Sequence, residues 1–128
     1  DYKNINYYGI IDYIEALRLY SKTDFMLAIY DPKIPNHRYS APNKIYEAMM
    51  LGKPIIVAKG TGIDQLVSCN NIGISIEYTE NAFEQVICEI IRRPDIKFEL
   101  GCNAQNAYSK YSWSEMENRI IKIYRDIS

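Results

Sequence analysis

The feature that most constrains this fold is the stretch 40–57, which combines a proline stop, a helical pattern, a glycine and a strand-like run. Pro42 disfavours a helical conformation for the residue before it and itself suits the first turn of a helix. Gly52 suits the left-handed residue that ends a helix, and the β-branched run 55–57 predicts a buried strand. The apolar stripe of the predicted helix, spaced i, i+3 and i+4, consists of Ile45, Ala48 and Met49.

A second face of the same predicted helix is polar and carries Asn43, Lys44 and Glu47. Free backbone amides at a helix start, together with a lysine, favour an anion, and a carboxylate accepts hydrogen bonds from hydroxyls. The pattern therefore predicts a binding site for a phosphorylated ligand that also bears hydroxyls. The alternatives are structural: Glu47 forms an exposed ion pair with Lys44, worth about 0.2–0.5 kcal/mol, and Asn43 is only the helix cap.

Strand-like and helix-like patterns alternate along the chain. The predicted strands cover 3–8, 25–30, 55–58 and 73–76, and helical patterns separate them. Such alternation, with apolar runs that need cover on both sides, is typical of a parallel sheet between two layers of helices. The 128 residues correspond to one domain, 1–128. We therefore expect a three-layer, Rossmann-like α/β domain with about four strands.

Three details of this prediction concern particular side chains. The segment 33–40 reads as a long polar loop, of the kind that often carries function. In the helix predicted from about Glu80 to Arg92, the inward positions include Ile91, and Cys88 is expected to fill space in the core. Thr79 and Asp95 are expected to cap the helices that follow them.

Composition excludes several classes of protein and site. A net charge of −1 argues against a nucleic-acid binder, which usually presents a basic face. A single histidine and three scattered cysteines give no metal-ligand spacing, and no G-x-S-x-G motif indicates a serine hydrolase. Free thiols indicate a reducing compartment, no apolar run is long enough for a transmembrane helix, and the start at Asp1-Tyr2 does not resemble a signal peptide.

The motif Pro-Asn-Lys-Ile-Tyr-Glu-Ala-Met-x-x-Gly-Lys-Pro at 42–54, after the apolar strand that follows Asp24, resembles retaining glycosyltransferases of the group 1, family 4 type. Gly9, Gly73 and Ser112-Trp113 agree with the resemblance, which covers residues 5 to 126. Enzymes of this family have the GT-B fold, in which two Rossmann-like domains face each other across a cleft. The resemblance implies the C-terminal, donor-binding domain. It also implies that the N-terminal acceptor domain and the first strands of this domain are missing from the chain.

The resemblance also implies roles for individual residues. It associates Glu47 with the ribose hydroxyls of the nucleotide, and Gly9 with close approach of the backbone to the base. Lys44, with the amides of Asn43 to Ile45, is expected at the phosphates. His37 lies just upstream, near the expected sugar. Tyr39 stands where the family commonly has a first glutamate, so the usual contact with the sugar does not carry over.

The implied activity is transfer of a sugar, of the hexosyl type, from a nucleoside diphosphate donor to a glycan or lipid-linked acceptor, as in polysaccharide biosynthesis in bacteria. No metal or other cofactor is expected, no catalytic residue is assigned, and the chain alone is expected to be inactive. The implied location is the cytoplasm, with the full-length enzyme at the inner face of the membrane. The rivals are a non-catalytic α/β module that pairs through surface left bare by missing strands, and, more weakly, a receiver-type domain.

Overall fold

The computed structural model describes residues 3–127, so Asp1 and Tyr2, on which the expectation about a signal peptide partly rests, lie outside the described residues. Helices and strands alternate through most of this range, and helices alone make up its last third. The elements are α1 (Tyr13–Ser21), β1 (Met26–Ala28), α2 (Pro35–Tyr39), α3 (Asn43–Leu51), β2 (Ile55–Ala58), α4 (Ile63–Cys69), β3 (Gly73–Ile76), α5 (Glu80–Arg92), α6 (Ile96–Tyr111) and α7 (Trp113–Ile127).

The strands of the described range form one parallel sheet of three strands in the order β1-β2-β3. Met26 pairs with Ile55, and Ile55 pairs in turn with Gly73. Every residue of the central strand β2 is buried, as expected for a strand covered on both faces. The sheet confirms the predicted α/β class and corresponds to part of a Rossmann-like domain.

Successive residues of β2 point into two separate cores, which confirms the layers of helices on both faces. Ile55 and Val57 belong to the larger core, between the sheet and helices α3, α4 and α6. Ile56 belongs to the smaller core, where Val86 of α5 packs on the sheet. The alternation follows from the two-residue period of a strand.

Two glycines fix how α3 meets α6. Gly52 ends α3 in the left-handed conformation, with φ of 61°, as its place in the sequence predicted. A Cβ atom at Gly101 would lie 2.7 Å from the carbonyl oxygen of Gly52, so only glycine allows this approach. The start of α6 therefore lies at the end of α3. Because the Tyr111 ring, at the end of α6, lies against the Tyr46 ring of α3, the two helices run antiparallel.

The N-terminal half departs from prediction in two places. Residues 3–8 form no strand and are exposed, so the sheet has three strands where about four were expected. An alternating pattern specifies a strand only where a neighbouring strand is free to pair with it and one face is buried. The segment 33–40 is not all loop, because residues 35–39 form the short helix α2 with Pro35 in its first turn.

Three predictions about side chains in the helical half were wrong. Cys88 is exposed and does not fill the core, and Ile91 is 72% exposed. The sheet beneath α5 is narrow, and only Val86 of this helix is fully buried. Asp95 makes no capping hydrogen bond, whereas Thr79 accepts one from the amide of Ala82, as predicted. Within residues 3–127, no helix combines the length and the apolar character needed to cross a membrane.

Candidate functional site

The best candidate site is a cleft of about 540 Å³ between α1, α3, the end of α6 and the start of α7. The first turn of α3 lies beyond the carboxyl end of β1, which is the edge where open parallel sheets bind their ligands. The volume falls in the range of small-molecule pockets. Its lining consists of Tyr13, Asn43, Tyr46, Glu47, Met50, Tyr108, Tyr111, Trp113 and Met116.

Helix α3 forms the floor of the cleft with one face and packs into the larger core with the other. The spacing i, i+3, i+4 and i+7 brings Asn43, Tyr46, Glu47 and Met50 to one face. The other face carries the predicted apolar stripe, which is fully buried in the larger core. The packing of that stripe therefore holds the floor of the cleft in place.

Glu47 is half-buried in this floor, and Tyr13 of α1 lines the same cleft. Partial desolvation, followed by the negative charge of Glu47, raises the pKa of Tyr13 above its ordinary value. Among the ion pairs of the described residues there is none between Glu47 and Lys44, so the alternative of a helix-surface pair is wrong.

Aromatic side chains enclose the carboxylate. Five of the lining residues are tyrosine or tryptophan, contributed by three helices besides α3 itself. The rings of Tyr46 and Tyr111 lie 6.2 Å apart between centroids, and Trp113 at the mouth is 73% exposed. Aromatic faces bind flat rings, and base–aromatic stacking is worth about 1–3 kcal/mol per base. The cleft therefore offers a stacking surface next to an acceptor of hydroxyl hydrogen bonds.

At the start of α3, only some of the groups predicted to meet the ligand face the cleft. Pro42 occupies the N-cap position, so Asn43 is the first helical residue and not the cap; its side chain lines the cleft. The Ile45 side chain is buried in the core, and its amide donates to the carbonyl of Pro42 at 3.2 Å. Lys44 is partly exposed and lies outside the lining of the cleft. An anion at this helix start would therefore meet the amides of Asn43 and Lys44 rather than that of Ile45.

His37 and Tyr39 lie apart from the cleft. The His37 ring packs on Tyr30, with centroids 5.3 Å apart, and its Nδ1 lies 3.1 Å from the carbonyl oxygen of Asp31. Tyr39 is 83% exposed and lines a smaller groove of about 320 Å³ between α2, α3 and α4. The segment 33–40, which contains His37 and Tyr39, and the cleft thus lie at different places along the surface of α3.

Gly9 also lies outside the lining of the cleft. Its φ of +66° is a conformation that favours glycine, and no atom lies within 4 Å of the position of a Cβ at this residue. Open space therefore surrounds the backbone in front of α1.

Sequence reasoning missed Tyr13, Tyr108, Tyr111 and Trp113. Trp113 entered the sequence analysis only through the pair Ser112-Trp113, which agrees with the family resemblance. The sequence feature that could have pointed to these aromatic residues is the high tyrosine content, because 12 of the 128 residues are tyrosine. Residues 3–127 contain no group of three or more histidine, cysteine or acidic side chains arranged to hold a metal.

Comparisons with known proteins give one weak relationship. The chain is similar to an uncharacterized glycosyltransferase of Methanocaldococcus jannaschii, with 26% identity over 83 residues, which is 64% of this chain and 24% of that protein. The chain thus matches only about a quarter of its relative's length. No family model matches the sequence, and no solved structure matches it. The match supports a relationship to glycosyltransferases.

Proposed function

We propose that this chain is the nucleotide-sugar-binding part of a glycosyltransferase, corresponding to the C-terminal, donor-binding domain of the group 1, family 4 type with the GT-B fold. The whole enzyme would transfer a sugar from a nucleoside diphosphate to a hydroxyl of a glycan or lipid-linked acceptor. The similarity to the uncharacterized glycosyltransferase of Methanocaldococcus jannaschii supports the reaction class. The parallel sheet and the cleft along the outer face of α3 support the nucleotide.

One observation carries the proposal: the Glu47 carboxylate lies in the floor of a cleft walled by aromatic rings. An ionised carboxylate only accepts hydrogen bonds and can take two hydroxyl donors at once. A nucleoside offers a flat base and a vicinal diol, which match the rings and the carboxylate respectively. Glu47 is the proposed ligand of the ribose.

The diphosphate is assigned to the start of α3. The amides of Asn43 and Lys44 and the positive end of the helix dipole attract an anion there. Glu47 follows one helical turn later, about 5 Å along the axis. That separation is suited to a ribose whose diphosphate lies at the helix start.

The proposed contribution to catalysis is positioning of the donor and stabilisation of the departing diphosphate. We assign no side chain of this chain to the chemical step. The acceptor would bind to a second domain, so we expect the chain alone to bind nucleotide weakly without turnover. Multiple turnovers by this chain with donor sugars and candidate acceptors would contradict that expectation.

Calorimetry with UDP, ADP and GDP tests the proposal directly. We expect binding in the micromolar to millimolar range for at least one of them. Glu47→Gln keeps the size of the side chain but removes its charge, and should weaken this binding about tenfold or more. Glu84→Gln, at an exposed position of α5 away from the cleft, is the matched control and should bind as the unsubstituted chain does.

The second candidate is a non-catalytic module that self-associates, and the observation that favours it is α7. Its apolar residues follow a spacing of three and four, and among them Ile123 is 57% and Ile127 78% exposed. This spacing is typical of a helix that packs against another helix. The seam comprises Trp113, Met116, Ile120, Ile123 and Ile127.

Sedimentation velocity with the unsubstituted chain and with Ile123→Glu separates the two candidates. The module predicts a dimer that Ile123→Glu converts to monomer, with no response to nucleoside diphosphates at millimolar concentration. Nucleotide binding that Glu47→Gln weakens, in a chain that stays monomeric, favours the glycosyltransferase.

A further inference from the structure

We propose that the groove between α2, α3 and α4 binds the sugar of the donor and prefers a sugar with an N-acyl group, such as an N-acetylamino sugar. This inference rests on the proposed nucleotide-binding function and adds a substrate class to it. The groove has a volume of about 320 Å³, at the lower end of the range of small-molecule pockets. A space of this size suits a single sugar ring.

The groove and the cleft meet at the first two turns of α3. Tyr46 lines both of them, whereas Glu47 lines only the cleft and Pro42, at the N-cap, lines only the groove. The groove therefore begins beside the helix start to which the diphosphate is assigned. A donor whose ribose contacts Glu47 and whose diphosphate lies at the helix start can place its sugar in this groove.

A close approach of two backbone segments forms the side of the groove opposite α3. Gly62, just before α4, has a φ of +74°, and a Cβ atom there would lie 2.9 Å from the carbonyl oxygen of Arg38 in α2. Only glycine combines this conformation with this approach. The contact holds the end of α2 against the start of α4, so the groove is part of the packing of the domain.

The floor of the groove is apolar. Ile45 and Ile63 are buried in the larger core, and Leu66 packs against it. All three line the groove, together with Ala41 and Pro42. A methyl group of a ligand gains from contact with such a floor, whereas a hydroxyl would lose water there without gaining a hydrogen bond.

The polar side chains of the groove favour a ligand that accepts hydrogen bonds. The guanidinium of Arg38 is exposed and only donates, and it forms no ion pair within residues 3–127. The Ser40 hydroxyl already donates to the carbonyl of His37, at 3.4 Å. None of the described residues that line the groove is acidic. The groove therefore lacks a carboxylate, the group that accepts hydrogen bonds from sugar hydroxyls most strongly.

An N-acyl group matches both properties of the groove. Its carbonyl oxygen accepts a hydrogen bond from Arg38, and its methyl group contacts the apolar floor. A plain hexose presents a hydroxyl at the same position, and an apolar surface rejects a hydroxyl only weakly, so we expect a modest preference. A uronic acid would gain from Arg38 alone and is the alternative that the experiment separates.

The experiment measures by calorimetry the dissociation constants of UDP, UDP-glucose, UDP-N-acetylglucosamine and UDP-glucuronic acid. If ADP or GDP binds more tightly than UDP, the corresponding hexose 1-phosphates replace these donors, because they need no base. The N-acetyl form should bind about three- to tenfold more tightly than the glucose form. Arg38→Met removes the donors but keeps an unbranched apolar chain, and should reduce this difference to less than about twofold. Arg92→Met, at an exposed position of α5, is the matched control and should leave the difference unchanged.

Equal affinities for the N-acetyl and glucose forms would overturn the proposal, as would tighter binding of the glucuronic acid form. A loss that Arg38→Met causes equally for UDP alone would also overturn it, because Arg38 would then contact the diphosphate. The proposed function fails differently, by nucleotide binding that is absent or unchanged by Glu47→Gln. Circular dichroism of each variant confirms that the affinities are compared between folded proteins.

Discussion

The rings of Tyr46 and Tyr111 lie 6.2 Å apart with their planes inclined by 42°, and this contact joins the start of α3 to the end of α6. Both residues line the cleft, so the contact closes one end of its floor. The Tyr111 hydroxyl also lies 3.4 Å from the side-chain amide of Asn70, which donates to it. One ring pair thus ties the wall of the cleft to α3 and to the end of α4.

Tyr111→Ala should lower the free energy of unfolding by about 1–3 kcal/mol, because a half-buried aromatic residue loses its ring contact and its apolar packing. Urea denaturation measures the change. Tyr39→Ala removes an equally large but mostly exposed ring and should stay within about 0.5 kcal/mol. Equal effects of the two substitutions would show that the Tyr46–Tyr111 contact adds nothing to stability.

Gly101→Ala should destabilise the protein, although alanine normally stabilises a helix interior by about 1 kcal/mol relative to glycine. The added Cβ would lie 2.7 Å from the carbonyl oxygen of Gly52, and both helices must shift to relieve the clash. We expect a loss of about 1–3 kcal/mol in the free energy of unfolding. Cys102→Ala, at the next and exposed position, is the control, and a gain in stability from Gly101→Ala would contradict the close approach.

Asp24 should make stability depend on acidic pH. Its hydrogen bond to Lys97, at 2.8 Å, followed by the lysine's charge, lowers the pKa of Asp24 below 3.8. A lowered pKa in the folded state means that the contribution is complete above the unfolded pKa and is lost as pH falls through the folded pKa. The difference in unfolding free energy between the unsubstituted chain and Asp24→Asn should therefore shrink between about pH 6 and pH 2. A difference that stayed constant over this range would sink the assignment.

Trp113 should report ligand binding by fluorescence. It is the single tryptophan of the chain, lines the cleft and is 73% exposed. A base that stacks on it should exclude water and quench or shift its emission as nucleoside diphosphate is added. In Glu47→Gln the same change should require about tenfold more ligand or more. An emission spectrum that saturating nucleotide leaves unaltered would place the ligand outside this cleft.

The helix and strand of 42–57 were predictable because their determinants are local. The proline that starts α3, the stripe beginning at Ile45 and the left-handed Gly52 all lie within eleven residues of one another. The sheet class followed from the apolar runs, whose burial β2 confirms. The same kind of local pattern predicted a strand at 3–8, but these residues pair with no strand of the sheet.

The cleft was only partly predictable because it is built from tertiary packing. Glu47 and Asn43 stood out as polar residues on an otherwise apolar helix. Tyr13 and Trp113 reach them from elements far away in sequence, and no period within α1 or α7 encodes that meeting. Ile91 shows the opposite error: helical periodicity marked it as inward, but the sheet is too narrow to cover it.

The nine residues of α3 carry both the core stripe and the floor of the cleft, and this leaves the helix no freedom of register. One residue inserted between Lys44 and Glu47 would turn everything after it by about 100°. Such a turn would carry the carboxylate toward the apolar interior and bring a core side chain out into the cleft. Length changes inside this helix should therefore disrupt both the packing of the core and the binding of the ligand.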